Sequence, residues 1–319
     1  MLDLLSDILT RLSMRGTLYF RTSFTKPWGV AVPDLGNVAR FHFAHRGACL
    51  VSVEGMEEPI LVEQGDLIII PHGAAHALYC GHEPEKTVLP LDTVLQDSGY
   101  DGSGVLVYGG DDKPVSETQL ICGHFSFEAH ARHILFERLP PLVHVKNYGE
   151  AAGKWMEATL RMIGDEAGNH RMGGDLIALK MSEAILAQAI RSFLESEDAL
   201  QWGLSGFSDK NLTLALDAFH KAPQRSWTVE RLANAAGMSR TSFAVAFQKK
   251  MAVTPLDYVT SWRMEIAKQA LLDPVNSITD VAECVGYASD SAFARVFKKE
   301  TGFTPAGFKK SNIADRAII

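Results

Sequence analysis

The 319-residue chain has little cysteine: four residues, at positions 49, 80, 122 and 284, scattered and without C-x-x-C spacing. A chain of this length needs no disulfide scaffold, and such sparse thiols fit a reducing, cytoplasmic setting. There is no apolar run of about eighteen residues, which excludes a membrane-spanning helix. The first residues, M-L-D-L-L-S-D-I-L-T-R-L, are acidic and interrupted by charges, unlike a signal peptide. Leu2, Leu5, Leu9 and Leu12 instead have the spacing of an amphipathic helix. Nor is the chain basic as a whole: its net charge is −7. The length is ample for two domains, and 46% hydrophobic content supports buried cores.

Against these absences stands a repeat. Ser239 to Pro255 reads S-R-T-S-F-A-V-A-F-Q-K-K-M-A-V-T-P, and Ser289 to Pro305 reads S-D-S-A-F-A-R-V-F-K-K-E-T-G-F-T-P. The serine, a Phe pair four apart, Lys249 and Lys299, and Thr-Pro recur in register. In the first copy Thr228 is placed to cap V-E-R-L-A-N-A-A, Gly237 breaks the helix, and Ser239 caps a second helix. In the second copy Ser277 and Asp280 have nearly capping-box spacing, and Gly286 begins a turn one residue longer. A short helix, a Gly-containing turn and a second helix are the parts of a helix-turn-helix. Phe243, Phe247, Phe293 and Phe297 are expected in the core. Arg240, Thr241, Ala244, Val245 and Gln248 face outward in the first copy, as do Asp290, Ser291, Ala294, Arg295 and Lys298 in the second. From Tyr258 to Leu272 no Gly or Pro interrupts the chain, which predicts one long helix joining the two units. Ala252 stands where the second copy has Gly302, so a less sharp helix end is expected there.

Charge follows the repeat. From residue 210 onward there are fifteen Lys/Arg and ten Asp/Glu, a net of +5, which leaves −12 on residues 1–209. Two readers joined by a rigid helix suit major-groove segments one turn apart on double-stranded DNA. Three stretches resemble the AraC/XylS family of bacterial transcription regulators: Ala233 to Phe243, Trp262 to Leu272 and Val281 to Pro305. The likeness spans about residues 212–310. It implies that the second helix of each unit reads bases, through Arg240, Thr241, Ala244 and Val245 in the first and Asp290, Ser291 and Arg295 in the second. Arg295 can pair bidentately with guanine, while Ala244 and Val245 offer only apolar contact. Gln248 joins the first reader's candidates, and Lys298 and Lys299 are candidate phosphate contacts.

Residues 17–127 read as short strands punctuated by Gly and Pro, which suggests a sandwich or barrel. Gly65 to His76, G-D-L-I-I-I-P-H-G-A-A-H, resembles the second motif of cupins. In that likeness Gly65 makes a turn, Pro71 ends a strand and Gly73 lets His76 point inward. The Asn that often follows is replaced by Cys80. The first cupin motif is not intact: His42 and His45 are three apart and so on opposite faces of a strand, and the Glu is missing. An altered metal site would draw on His42, His72, His76, Cys122 and His124, a nitrogen and sulfur donor set suited to zinc or another divalent metal. The competing readings are an organic ligand without metal and plain packing. W-G-V-A-V-P from Trp28, I-C-G-H-F-S-F from Ile121 and L-P-P-L-V-H-V from Leu139 extend the likeness to a cupin-type sensor domain fused to AraC/XylS readers, over about residues 5–145.

Residues 147–200 contain no proline and read as helical, with a loop at Gly164 to Gly174. From Asp175 to Leu194 the stripe Leu176, Leu179, Ile185, Leu186, Ala189, Ile190 and Phe193 suggests dimerisation, or packing on the chain's own barrel. Gln201 to Ser208 reads as a hinge. The expected architecture is α+β and multidomain: a cupin-like β-barrel sensing domain (1–145), a helical connector (146–208) and an all-α DNA-binding domain with two helix-turn-helix units (209–319). The expected function is a cytoplasmic, homodimeric transcription regulator, an activator by family resemblance. Its partners are promoter DNA, a small-molecule effector and RNA polymerase, with no membrane. The alternatives are a cupin metalloenzyme with an appended DNA-binding domain and a constitutive binder with a structural barrel.

Overall fold

The computed structural model describes residues 3–12, 15–36, 38–81, 88–102, 104–110, 117–127, 133–146 and 172–316, with isolated positions between 155 and 166. The chain divides into two compact units that do not follow sequence order. One comprises residues 14–128 and 139–193, and the other comprises 1–13, 129–138 and 194–319.

The first unit is built on eleven described strands: β1 (Arg15–Thr25), β2 (Gly29–Val32), β3 (Val38–Arg46), β4 (Cys49–Val53), β5 (Ile60–Val62), β6 (Leu67–Ile70), β7 (His76–Tyr79), β8 (Val88–Pro90), β9 (Val105–Gly109), β10 (Glu117–Ser126) and β11 (Val143–Val145). They form a six-stranded sheet, β11-β6-β3-β10-β1-β9, and a five-stranded sheet, β5-β4-β7-β2-β8. One apolar core takes Val30, Val51 and Leu78 from the smaller sheet and Phe24, Ile68 and Leu120 from the larger. Among the described residues the sheets do not close into the barrel that the sequence suggested. Their edges are mostly three-residue strands, and β8 ends in Pro90, which has no N–H to extend a ladder.

Period-two alternation sorts the strands. β4 buries Cys49, Val51 and Val53 and leaves Leu50 and Ser52 half-covered. β3 is buried nearly throughout, because both of its faces are covered. Arg40, His42 and Ala44 share one face. Phe41 shares the other with Phe43, and its ring lies 5.1 Å from that of Phe125. On that side runs a helix, Gly174–Leu194: a Cβ on Gly16 would lie 3.1 Å from Leu179 and 3.3 Å from the Phe125 ring. The stripe read as a dimer surface is thereby largely consumed inside the chain. Ile185, Leu186, Ala189, Ile190 and Phe193 are buried, and Leu176 stays exposed. Of the loop expected at Gly164 to Gly174, Gly174 already opens this helix, and seven of the eleven positions lie outside the described residues.

In chain order the helices are α1 (Leu4–Arg11), α2 (Leu91–Ser98), α3 (Ile134–Glu137), α4 (Gly174–Leu194), α5 (Asp198–Gln201), α6 (Lys210–Lys221), α7 (Val229–Ala235), α8 (Arg240–Met251), α9 (Pro255–Leu271), α10 (Ile278–Cys284), α11 (Asp290–Thr301) and α12 (Pro305–Arg316). The second unit holds α1, α3 and α5 to α12. Gln201 to Ser208 is not a free hinge. Leu204 and Phe207 are buried, and a Cβ on Gly206 would sit 2.4 Å from the Met251 sulfur.

The duplicated segment folds as two like units because its local signals repeat. Thr228, Ser239, Ser277 and Ser289 each accept a backbone N–H at a helix start, and Ser277 with Asp280 completes a capping box. The Phe243–Phe247 and Phe293–Phe297 ring pairs have the same 5.5 Å separation. The expectation of a blunter end at Ala252 is not met. Ala252 takes the left-handed conformation (φ 51°), and its N–H closes on Gln248 just as that of Gly302 closes on Lys298. The helix end is as sharp, and the Cβ carries the strain.

Candidate DNA-reading surface and ligand cavity

The two second helices, α8 and α11, present polar faces to solvent. Arg240, Thr241 and Gln248 are exposed, and Val245 is 64% exposed; Ala244 is half-buried. On α11, Ser291, Arg295, Lys298 and Lys299 are exposed. Asp290 is also exposed, but its carboxylate accepts the Thr279 hydroxyl at 2.7 Å. It therefore ties α10 to α11 and complements the positive end of the α11 dipole. Lys298 and Lys299 occupy the last turn of α11, where cations suit the dipole, and Lys299 lies 3.8 Å from Glu300. Base reading uses the N-terminal part of such a helix, which holds Ser291 and Arg295 on α11 and Arg240 and Thr241 on α8.

A contact that sequence patterns did not reveal bridges the two helix-turn-helix units. Arg263 on α9 donates through Nε to the Pro223 carbonyl at 2.9 Å and through Nη2 to the Arg225 carbonyl at 2.7 Å. Its guanidinium also lies 5.9 Å from the Tyr287 ring centroid, in the turn of the second unit. Beside it Gly286 has φ +84°, and a Cβ there would lie 2.3 Å from the Gln224 carbonyl oxygen. The segment leading into α7 is thus packed onto the α10–α11 turn. Its counterpart Gly237 is also left-handed, yet has open space around the Cβ position.

A buried polar chain runs through the same unit. His133 Nδ1 accepts the Leu135 N–H, so its Nε2–H donates to the Tyr258 hydroxyl at 3.2 Å. Tyr258 then donates to His220 Nε2 at 2.8 Å, and His220 Nδ1–H donates to the Asp7 carboxylate at 2.8 Å. Every proton has one place in this order. Burial holds both histidines below their ordinary pKa and pushes Tyr258 up. Burial works to raise Asp7, but the bonds from His220 and Arg11 outweigh it and keep its carboxyl low. Arg138, just after α3, donates to the Met251 carbonyl at 2.6 Å and so satisfies the C-terminus of α8. The residues 133–138 that make these contacts lie between β10 and β11 in the chain.

In the sheet unit, three of the five candidate metal donors come together. His76 Nδ1 faces the Ala74 carbonyl at 2.9 Å, so it carries the proton. His76 Nε2 therefore accepts from His42 Nε2–H at 2.9 Å, which leaves His42 Nδ1 to accept the Cys122 thiol at 3.1 Å. Burial keeps all three neutral: it lowers His42 well below its ordinary value, brings His76 to about 4 and raises the Cys122 thiol. The donors are in series, with one on each side of the His42 ring, rather than around a common centre. His72 instead donates to the Leu139 carbonyl at 2.9 Å. His124 lies opposite Arg40 in the β10–β3 register. No group of three His, Cys, Asp or Glu among the described residues is arranged to hold a metal. As they stand, these residues form a hydrogen-bonded chain and do not fit a metal centre. Gly73 of the cupin-like motif is needed for close approach: a Cβ there would fall 2.0 Å from the Leu35 carbonyl oxygen.

Beside this chain lies a cavity of ≈260 Å³. Its wall is mostly apolar, with Phe24, Leu106 and Leu120 from strands and Leu91 and Leu95 from α2. The polar exceptions include Thr22, Arg40 and His42. Arg40 went unremarked in the sequence, although it alternates with His42 in A-R-F-H-F-A and so had to share its face. No described helix is long and apolar enough to cross a membrane.

Comparison with known proteins agrees with both units. A cupin family profile matches residues 3–195, and a helix-turn-helix domain profile matches residues 232–311. A putative AraC-like transcription regulator of Streptomyces antibioticus is 32% identical over 97% of this chain and 99% of its own length. The HTH-type transcriptional regulator AlkR of Acinetobacter baylyi is 26% identical over 78% of this chain and 80% of its own. Among solved structures, the DNA-binding domain of AdpA in complex with a target DNA is 27% identical, covers 34% of this chain and 97% of that chain, and has a TM-score of 0.32. The chain belongs to the AraC-like transcription regulators, with a cupin-type N-terminal domain and an AraC-type helix-turn-helix DNA-binding domain.

Proposed function

We propose that this regulator is a cytoplasmic, effector-responsive activator that binds two adjacent major-groove segments of a promoter. The observation that carries the reading is the pair of matched helices, α8 and α11, with exposed polar N-terminal faces and a bridge between their units at Arg263 and Gly286. The effector enters the apolar cavity of the sheet unit and changes DNA binding only insofar as it binds the two regulatory states unequally. The protein acts as a homodimer that recruits RNA polymerase. Leu176, exposed on α4, is available to a second subunit. The serial arrangement of Cys122, His42 and His76 supports a non-metal sensor and weighs against the cupin metalloenzyme.

In vitro selection from random double-stranded DNA tests the reading. The expected product is a motif with two segments about 10 base pairs apart. Recovery of no enriched sequence would refute sequence-specific binding. On the selected site, Arg295→Ala is expected to cost about 1–3 kcal/mol and to relax one base position. An equal loss on random DNA would reassign Arg295 to phosphate.

A further inference from the structure

We infer that Val245 on α8 selects a thymine by its methyl group, so that the two segments of the operator are recognised by different chemistry. The inference rests on the reading of α8 and α11 as base-contacting helices and adds what the first of them recognises. Duplication supplies the frame. Val245 is the sixth residue of α8 and Arg295 the sixth of α11, and each helix starts at a capping serine. The two helices bury and expose their residues in the same order from Phe243 to Lys249 and from Phe293 to Lys299. The Phe pairs that seat them have the same ring separation. The backbone therefore presents Val245 to a groove as it presents Arg295, and only the side chains differ.

That difference decides what each can read. Arg295 brings donors that suit guanine, whereas Val245 brings only methyl groups. Pressed against the exocyclic amine of adenine or cytosine, Val245 would strip water from a donor and return no hydrogen bond. Thymine is the one base with an apolar group in the major groove, the methyl at C5. Valine is short and its chain neighbours, Ala244 and Ala246, are small, so this part of α8 can approach the base edges closely. Thr241 and Gln248, exposed one turn to either side on the same face, carry the polar functions of this reader.

The test uses the full-length protein and the double-stranded site obtained by selection. Each thymine is replaced in turn by deoxyuridine, which removes the methyl and keeps every hydrogen-bonding group. Affinity is read by fluorescence anisotropy at one salt concentration. At least one replacement is expected to weaken binding about fourfold, the scale of one methyl removed from water. Val245→Ala should bind the thymine and deoxyuridine forms of that site alike. Arg295→Ala, weaker overall, should keep the fourfold ratio. Val245 is exposed, so its truncation leaves the core intact. If no replacement weakens binding by the wild-type protein, or if the loss persists in Val245→Ala, the inference is overturned while sequence-specific binding stands. Failure of the selection to yield any motif would sink both.

Discussion

Gly286→Ala examines the coupling of the two readers, with Gly237→Ala as its internal control. Both glycines begin the turn of a helix-turn-helix, and both are left-handed, at φ +84° and +65°. Placing alanine in that conformation costs about 1–2 kcal/mol, partly offset by about 0.4–1 kcal/mol from a less flexible unfolded chain. That leaves about 1 kcal/mol at Gly237, where nothing lies within 4 Å of the added Cβ. At Gly286 the Cβ would also meet the Gln224 carbonyl oxygen at 2.3 Å, its carbon at 2.9 Å and the Arg263 guanidinium at 2.9 Å. Relief requires a shift of about 1 Å in backbone that Arg263 holds by two hydrogen bonds, each worth about 1 kcal/mol or more. The total at Gly286 is therefore about 3–4 kcal/mol. The excess is concentrated where the segment preceding α7 meets the α10–α11 turn. Urea unfolding should show the difference between the variants. Binding assays on the bipartite site and on each half-site alone should show Gly286→Ala losing the bipartite advantage while the half-sites bind nearly as before. Equal stability and equal DNA affinity for the two variants would refute the coupling of the two readers through this contact.

Three further outcomes are expected. Ala252→Gly should raise stability by about 1 kcal/mol, because it removes a Cβ from φ 51° at the end of α8; an unchanged unfolding midpoint would remove the strain argument. Stability should fall as pH drops from 6.5 toward 4. Burial holds His76 at about 4 against an ordinary 6.5, so over that window the unfolded chain binds a proton that the folded chain refuses. His76 alone accounts for about 3 kcal/mol, fully present above pH 6.5; a flat profile in urea, or one that His76→Gln does not flatten, would contradict the assignment. Finally, a thiol reagent should modify Cys284 rapidly in the native protein and spare Cys49 and Cys122. Cys284 is exposed, whereas burial pushes the Cys49 thiol to about 12 and the Cys122 thiol also upward. Fast loss of two or more thiols would mean that the core opens.

The reading helices were legible because their determinants are local. A capping serine, a turn glycine and a Phe pair four residues apart act within one or two turns of chain, so the duplication exposed them directly. The cupin-like segment was legible for the same reason: Gly65 to His76 is one strand, one turn and the start of the next. What pairs across the fold was not. The stripe on α4 was apolar whichever surface it met, and periodicity cannot tell a partner subunit from the chain's own sheet. Gln201 to Ser208 looked like a hinge from its glycines, yet Gly206 is there because Met251 packs against it.

The sequence alone determined two helix-turn-helix units, their caps, the long helix between them and a strand-rich front half, because these follow from contacts a few residues apart. Only the tertiary structure decided that Asp7 meets His220, 213 positions away, and that His133 shares Tyr258 with it. Only the fold placed Arg263 and Gly286 against the segment before α7 and opened a cavity beside Arg40. Such contacts leave no period in the chain. A hydrogen-bond direction, a steric limit or a buried charge acts through distance in space, and separation along the sequence does not encode it.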